Sequence, residues 1–288
     1  MAIKEVSKVG NRGVIFTFED NISVYLICAD NYWFLCDTHL GPLSMECIKQ
    51  YIAAQANNKE IIMFNSHSDW DHIWGNCAFP DRIIIGHEMC RKRMREIGRF
   101  DLARLTQYHN GSINLVLPNV TFSERILFEE NEVEFIYAPG HTIDSAVCFD
   151  RKDSVLFVGD LVEYPIPYLD FDDLKTYIKT LDFIKSFPAR VKVSSHSGII
   201  DNNLIDSNIA YIKDILLDNP VNLVVYGESQ SVHNFNVNNR LFLKYENMVR
   251  EKLKDDFDYS LFRGQFGELS EMSYKDLKEA LEDYFKGL

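Results

Sequence analysis

The sequence of 288 residues has no uncharged stretch as long as a membrane-spanning helix needs, and its first eight residues hold no apolar core of signal-peptide length. No membrane partner is expected, and the expected location is cytoplasmic. Basic residues are scarce beside acidic ones: 30 Lys and Arg against 43 Asp and Glu leave a formal charge of -13. Nucleic-acid binders neutralise phosphates with a basic footprint, so this balance argues against a polyanionic partner. Cys-x-x-Cys pairs are absent. The six cysteines, Cys28, Cys36, Cys47, Cys77, Cys90 and Cys148, are scattered and mostly lie inside apolar runs, as buried, reduced thiols do. With no internal repeat and no low-complexity linker, a single α/β domain over residues 1–288 is expected. An apolar content of 46% and an aromatic content of 13% supply material for its core.

The densest chemistry lies in Asn65-Ser66-His67-Ser68-Asp69-Trp70-Asp71-His72, directly after the apolar run Ile61-Ile62-Met63-Phe64. Such a run, short and rich in β-branching, reads as a strand buried on both faces, which puts the polar cluster at the strand's C-terminal end. Open α/β folds place their chemistry there. Imidazoles and carboxylates crowded at one strand end suit a bound cation, because otherwise each needs its own hydrogen-bond partner or water. Taken alone, the stretch reads equally as a polar loop with two incidental histidines. Three later apolar runs weigh against that: 134–138 leads to Pro139-Gly140-His141, 155–158 to Gly159-Asp160, and 191–193 to Ser194-Ser195-His196.

In this order and spacing the segments resemble the metallo-β-lactamase superfamily, whose signature is His-x-His-x-Asp-His followed by a Gly-His, a Gly-Asp and a final His. Here the first motif reads His67-x-Asp69-x-Asp71-His72, with aspartate in place of the second histidine. Phe34-Leu35-Cys36-Asp37-Thr38 matches the family's early strand, with His39 standing for the usual glycine; Thr142 and Ser145 match a later pattern in which Asp144 replaces glycine.

The resemblance implies a four-layer αββα sandwich, two mixed β-sheets flanked by helices. It implies two divalent metal ions per chain, with His67, Asp69 and His141 on the first, Asp71, His72 and His196 on the second, and Asp160 bridging. Asp71 and Asp160 are its catalytic carboxylates. The implied reaction is attack by a metal-bridging hydroxide on an ester, lactone, thioester, amide or phosphoester of a small molecule. Zinc is the first expectation for this ligand set, and iron or manganese also suits it. The third carboxylate, Asp69, neutralises more of the metal charge and should weaken Lewis acidity. It also brings the site close to the flavodiiron branch of the superfamily, so a di-iron redox enzyme is the alternative reading, and a non-catalytic, metal-stabilised binding protein the third.

Along the chain, runs at 13–18, 22–28 and 32–36 read as an opening β-meander, 42–54 as a helix, 82–85 as a strand and 88–97 as a helix. Arg91, Lys92, Arg93 and Arg95 on that helix read as a solvated face rather than a phosphate site. Runs 121–128 with 133–138, and 145–149 with 154–158, read as two hairpins. Helices are expected at 172–187, 203–217, 240–253 and 274–285, and a last strand at 191–195. The region 220–288 is expected to cover the site. In the proline-stiffened loop after Asp160, Tyr164 and Tyr168 are candidates for substrate contact. Asp37 reads either as an acceptor for a ligand histidine or as a turn residue. His87 and His109 lack ligand spacing and stay outside the metal site; His233 reads as part of a polar loop, either lining a pocket or solvated.

Overall fold

The computed structural model describes residues 2–55, 57–226 and 229–288. The chain divides into two compact units: one of Met1–Pro139, Asp144–Leu161 and Ser186–Asp201, the other of Gly140–Ile143, Val162–Lys185 and Asn202–Leu288.

The first unit holds two mixed sheets. Seven strands lie in sequence order: β1 (Ile3–Val9), β2 (Gly13–Phe18), β3 (Ser23–Cys28), β4 (Tyr32–Cys36), β5 (Glu60–Asn65), β6 (Ile83–His87) and β7 (Val120–Phe122). The first four are antiparallel and the rest join in parallel from β4 onward. Six strands form the other sheet, β8 (Arg125–Phe128), β9 (Val133–Tyr137), β10 (Ala146–Asp150), β11 (Val155–Phe157), β12 (Val191–Ser194) and β13 (Gly198–Ile200). In it only β11 and β12 run parallel.

Period-two alternation in β5 explains the packing. Ile62 and Phe64 point into the core shared by the sheets, where Phe64 stacks on Phe135 with centroids 4.3 Å apart. Met63 points the other way, into a cluster with Ile48 of helix α1 (Glu46–Ala53). A strand buried on both faces needs apolar residues at every position, which is why Ile-Ile-Met-Phe reads as a continuous run. Phe34 and Cys36 face the shared core and Trp33 and Leu35 the helix side, by the same alternation. Helices flank the sheets, as expected for the α/β sandwich.

Several local expectations are corrected. The apparent first hairpin is divided, because β7 pairs with β6 in one sheet while β8 pairs with β9 in the other. Strand β13 continues past the expected last strand. The helix after β6 is longer than its apolar spacing suggested, α3 spanning Glu88–Arg104.

The second unit contains α4 (Leu174–Ser186), α5 (Asn202–Leu216), α6 (Gln230–Leu253), α7 (Tyr259–Arg263) and α8 (Tyr274–Gly287). Short α2 (Trp70–Ile73) belongs to the first unit. Phe242, Val249, Phe262, Phe266, Leu277 and Leu281 build the core that α6, α7 and α8 share. His233, read from the sequence as part of a polar loop, lies in α6, and its Nδ1 is 3.1 Å from the Tyr211 hydroxyl. No helix among the described residues is long and apolar enough to cross a membrane.

Candidate metal centre

The C-terminal ends of β4, β5, β11 and β12 deliver the polar groups of the first unit. After β5 the backbone bends at Ser66 and His67, is extended at Asp69 (φ -68°, ψ 145°) and then turns into α2, so Asp71 and His72 sit on one helical turn. His67, Asp69 and Asp71 therefore do not alternate along one extended segment, because the helical turn that begins at Trp70 includes Asp71. Two glycines permit the close approach. Gly75 packs so tightly that a Cβ would come within 1.9 Å of the Thr38 carbonyl oxygen. Gly159 has φ +56°, a left-handed conformation that favours glycine, and a Cβ there would meet Ser66 Oγ at 2.7 Å.

Asp37 orders the histidines. Its Oδ1 accepts from the Ser66 backbone N–H at 2.7 Å, and its Oδ2 accepts from Ser66 Oγ at 2.7 Å and from His72 Nδ1 at 2.9 Å. Since Ser66 Oγ spends its proton on Asp37, it accepts from His67 Nδ1 at 2.9 Å. Both imidazoles therefore carry the proton on Nδ1 and turn Nε2 toward the centre, the arrangement a metal-binding histidine requires. Ser66 had no signal in the sequence beyond its place beside His67.

Asp160 Oδ2 is the meeting point. It lies 3.1 Å from His72 Nε2, 3.1 Å from His196 Nε2 and 3.8 Å from His67 Nε2. Asp71 Oδ2 is 3.4 Å from His196 Nε2 and 3.7 Å from His72 Nε2, and Asp69 Oδ2 is 3.5 Å from His67 Nε2. Donor atoms of His67, His72 and Asp160 lie within 4.8 Å of one another, as do those of Asp71, His72 and His196. Burial opposes charge on Asp71, His72, Asp160 and His196. Around His72 the carboxylates of Asp160, Asp71 and Asp37 nonetheless win and hold the imidazole well above its usual range; Asp160 and Asp71 do the same for His196. In return, His196 and His72 hold Asp160 well below the carboxylate range against the penalty of burial.

This donor set fits divalent cations. Imidazole and carboxylate together suit zinc, iron or manganese, and the buried Asp160 Oδ1 has no hydrogen-bond partner among the described residues, which a second metal contact would supply. The raised imidazoles carry protons that must leave before Nε2 can bind a metal.

His141 belongs to the Gly140–Ile143 segment of the second unit. Its Nδ1 donates to the Tyr168 carbonyl at 3.1 Å, so its Nε2 also holds the lone pair. Tyr164 is exposed, and Tyr168 is partly exposed with its ring edge-on to Phe235 at 5.3 Å.

Asp144 and His39, both in places where the family pattern has glycine, behave differently. His39 adopts φ +57° and is locked by Ser44 and Asp20 at 2.7 and 3.1 Å. Asp144 is not among the residues of positive φ, so its turn has no need of glycine. Its buried carboxylate takes Arg93 Nε as a partner at 3.1 Å, and the same Nε lies 3.2 Å from Ser68 Oγ in the motif loop. Arg93 is thereby a structural cation rather than part of a solvated face, a correction that its helix spacing could not reveal.

Removing the Asp37 carboxylate tests the ordering role. Asp37→Ala is expected to weaken metal binding by about 10–100-fold, the usual cost of losing a group that orients ligand histidines. Competition against a chromophoric chelator measures it, and an unchanged affinity would assign Asp37 to folding alone.

Residues 17–196 match the family model of the Metallo-beta-lactamase superfamily. The fold is similar to that of a metallo-beta-lactamase from Pontibacter korlensis, with 20% identity and a TM-score of 0.59 over 73% of this chain and 99% of that one. A metallo-beta-lactamase from Erythrobacter litoralis, with beta mercaptoethanol in its active site, gives 17%, 0.59, 74% and 99%. The corresponding protein from Hirschia baltica gives 16%, 0.55, 72% and 96%. At these identities the likeness to solved structures is one of fold, whereas the family model matches well over half of the sequence: the chain belongs to the metallo-beta-lactamase superfamily.

Proposed function

We propose that the protein is a dinuclear metal-dependent hydrolase acting on an ester, lactone, thioester, amide or phosphoester of a small molecule. The observation that carries this reading is Asp160 Oδ2 set 3.1 Å from the Nε2 atoms of both His72 and His196 and 3.8 Å from that of His67, the geometry of a carboxylate shared between two sites. Following the superfamily pattern, His67, Asp69 and His141 would hold the first ion, Asp71, His72 and His196 the second, and Asp160 both. Two divalent cations held there, zinc foremost, would supply a water acidified to near neutrality and a Lewis acid for the electrophilic oxygen.

The protein's own groups supply orientation. Asp37 and Ser66 keep the proton of His67 and His72 on Nδ1, so neither ring can turn its N–H toward the reacting atoms. Asp71 is held below the carboxylate range by His72 and His196 even though burial works against it. It is thus ionised at neutral pH and can accept a proton or a hydrogen bond from the attacking water. No side-chain nucleophile is required. Tyr164 and Tyr168 offer aromatic surface for a partly apolar substrate, and the charge of -13 fits a small molecule better than a nucleic acid.

One observation favours a second reading, a di-iron redox enzyme: Asp69 adds a hard oxygen donor beside His67. Elemental analysis of protein purified without added metal, coupled to turnover of a panel of small esters, lactones, thioesters, amides and phosphoesters, separates the two. Hydrolysis that disappears on chelation and returns with zinc is the expected result. Two irons, an oxygen-sensitive spectrum and no hydrolysis of any class would replace the hydrolase with the redox enzyme. Strongly salt-dependent RNA binding would contradict the small-molecule assignment.

A further inference from the structure

We propose that Asn236 and Asn239 of α6, beyond the residues matched to the family, are positioning residues for His141. Buried asparagine is a costly choice inside a helix, because its amide competes with the backbone and must find partners once removed from water. Both side chains are buried. At a spacing of three they share one face of α6, and both spend their hydrogen bonds on the loop that follows Asp160.

The bonds alternate along that loop. Asn236 Oδ1 accepts from the Leu169 N–H at 2.9 Å, while its Nδ2 donates to the Pro167 carbonyl at 2.8 Å and to the Tyr211 hydroxyl at 3.0 Å. Asn239 Nδ2 donates to the Leu169 carbonyl at 2.9 Å and to Asp170 Oδ1 at 2.5 Å. Tyr168 therefore sits between two residues whose backbone α6 holds. Its own carbonyl is the acceptor for His141 Nδ1 at 3.1 Å, and the Asp170 N–H donates to the His141 carbonyl at 3.0 Å. A carbonyl can only accept, so this contact fixes the proton on Nδ1 and leaves the Nε2 lone pair for a metal. The amides of α6 hold Tyr168, and Tyr168 sets the tautomer and ring angle of His141. All of these groups belong to the second unit. Asn238 is the internal contrast: buried on the same helix, it donates to the Leu269 carbonyl at 2.7 Å and to the Met272 carbonyl at 2.8 Å, away from the loop that carries Tyr168.

The inference rests on reading His141 as a metal ligand, so its test includes His141→Ala. The full chain is loaded with two equivalents of Zn²⁺ and titrated with a chromophoric chelator, which reads the two affinities without reference to activity. His141→Ala should release one ion. Asn236→Ala should weaken the same single ion by about 10–100-fold, the range for groups that orient a ligand histidine. Asn239→Ala, which keeps all three Asn236 bonds, should weaken it by about 10-fold and carries the test if Asn236→Ala fails to fold. Asn238→Ala should lower Tm and leave both affinities within about twofold, since it clamps a different segment. A purely structural role predicts equal losses of Tm for the three asparagine variants with no selective effect on one ion. Unchanged affinities in Asn236→Ala and Asn239→Ala, with one ion lost in His141→Ala, would overturn the positioning role alone. Two ions retained in His141→Ala would overturn the ligand reading and the positioning role with it.

Discussion

Asp160→Ala is expected to release both metal ions on desalting and to abolish hydrolysis, the largest single effect in the molecule. Asp160 Oδ2 is equidistant, at 3.1 Å, from the Nε2 atoms of His72 and His196 and lies 3.8 Å from that of His67, so one side chain serves both proposed sites. Groups that merely orient a ligand cost about 10–100-fold in metal affinity, and a shared inner ligand should exceed the upper end of that range for each ion. Truncation also unmakes the electrostatic balance. Its carboxylate is charged despite burial because His196 and His72 hold it so, and without it both imidazoles lose their main anion. Asp160→Asn separates the effects, since the amide keeps shape and removes charge. It should lose the metals while the chelator-treated protein unfolds within a few degrees of the chelator-treated parent. Elemental analysis and a thermal melt give both readings. Retention of two tightly held ions in Asp160→Ala would remove it from the bridging role.

The parts of this centre that were legible in the sequence share one physical cause. A strand buried on both faces is apolar throughout, so a polar residue appears where the strand ends, and His67 and Asp160 each follow such a run closely; His196 follows Val191–Ser194, which Lys192 interrupts. Groups that act through the backbone of a distant segment carry no such mark. Asn236 and Asn239 look like ordinary polar positions on a helix, yet their partners Pro167, Leu169 and Asp170 lie 67 to 70 residues earlier. Arg93 reads as one of a run of basic residues because its partner, Asp144, is distant in sequence. Sheet membership is equally non-local. Val120–Phe122 and Arg125–Phe128 form one apparent β-run, but their partners, β6 and β9, place them in different sheets. Strand β1 escaped notice for another reason. It is an edge strand, and Lys4, Glu5, Ser7 and Lys8 give it the polar character that protects such edges from pairing with other chains.

Asp69, where the chain departs from its family's motif, carries the remaining large prediction: Asp69→Ala should empty the first site and spare the second. The aspartate sits at the N-cap of α2 without a side-chain cap bond, and its Oδ2 lies 3.5 Å from His67 Nε2 on the first-site side of the cluster. Asp71, His72 and His196, the donors proposed for the second site, are untouched by the substitution. Chelator titration should therefore show one ion at nearly parental affinity and the other weakened by more than about 100-fold. Asp69→His supplies an imidazole where the family has one. It should keep two ions and shift preference further toward zinc over manganese or iron, because a hard oxygen is exchanged for nitrogen. It also removes one negative charge, leaving the pair of cations less neutralised and the attacking water more acidic. The acid limb of the pH–rate profile should accordingly move to lower pH. If Asp69→Ala keeps its full metal content and Asp69→His leaves that limb in place, Asp69 is not an inner ligand, and its carboxylate acts only on the histidine beside it.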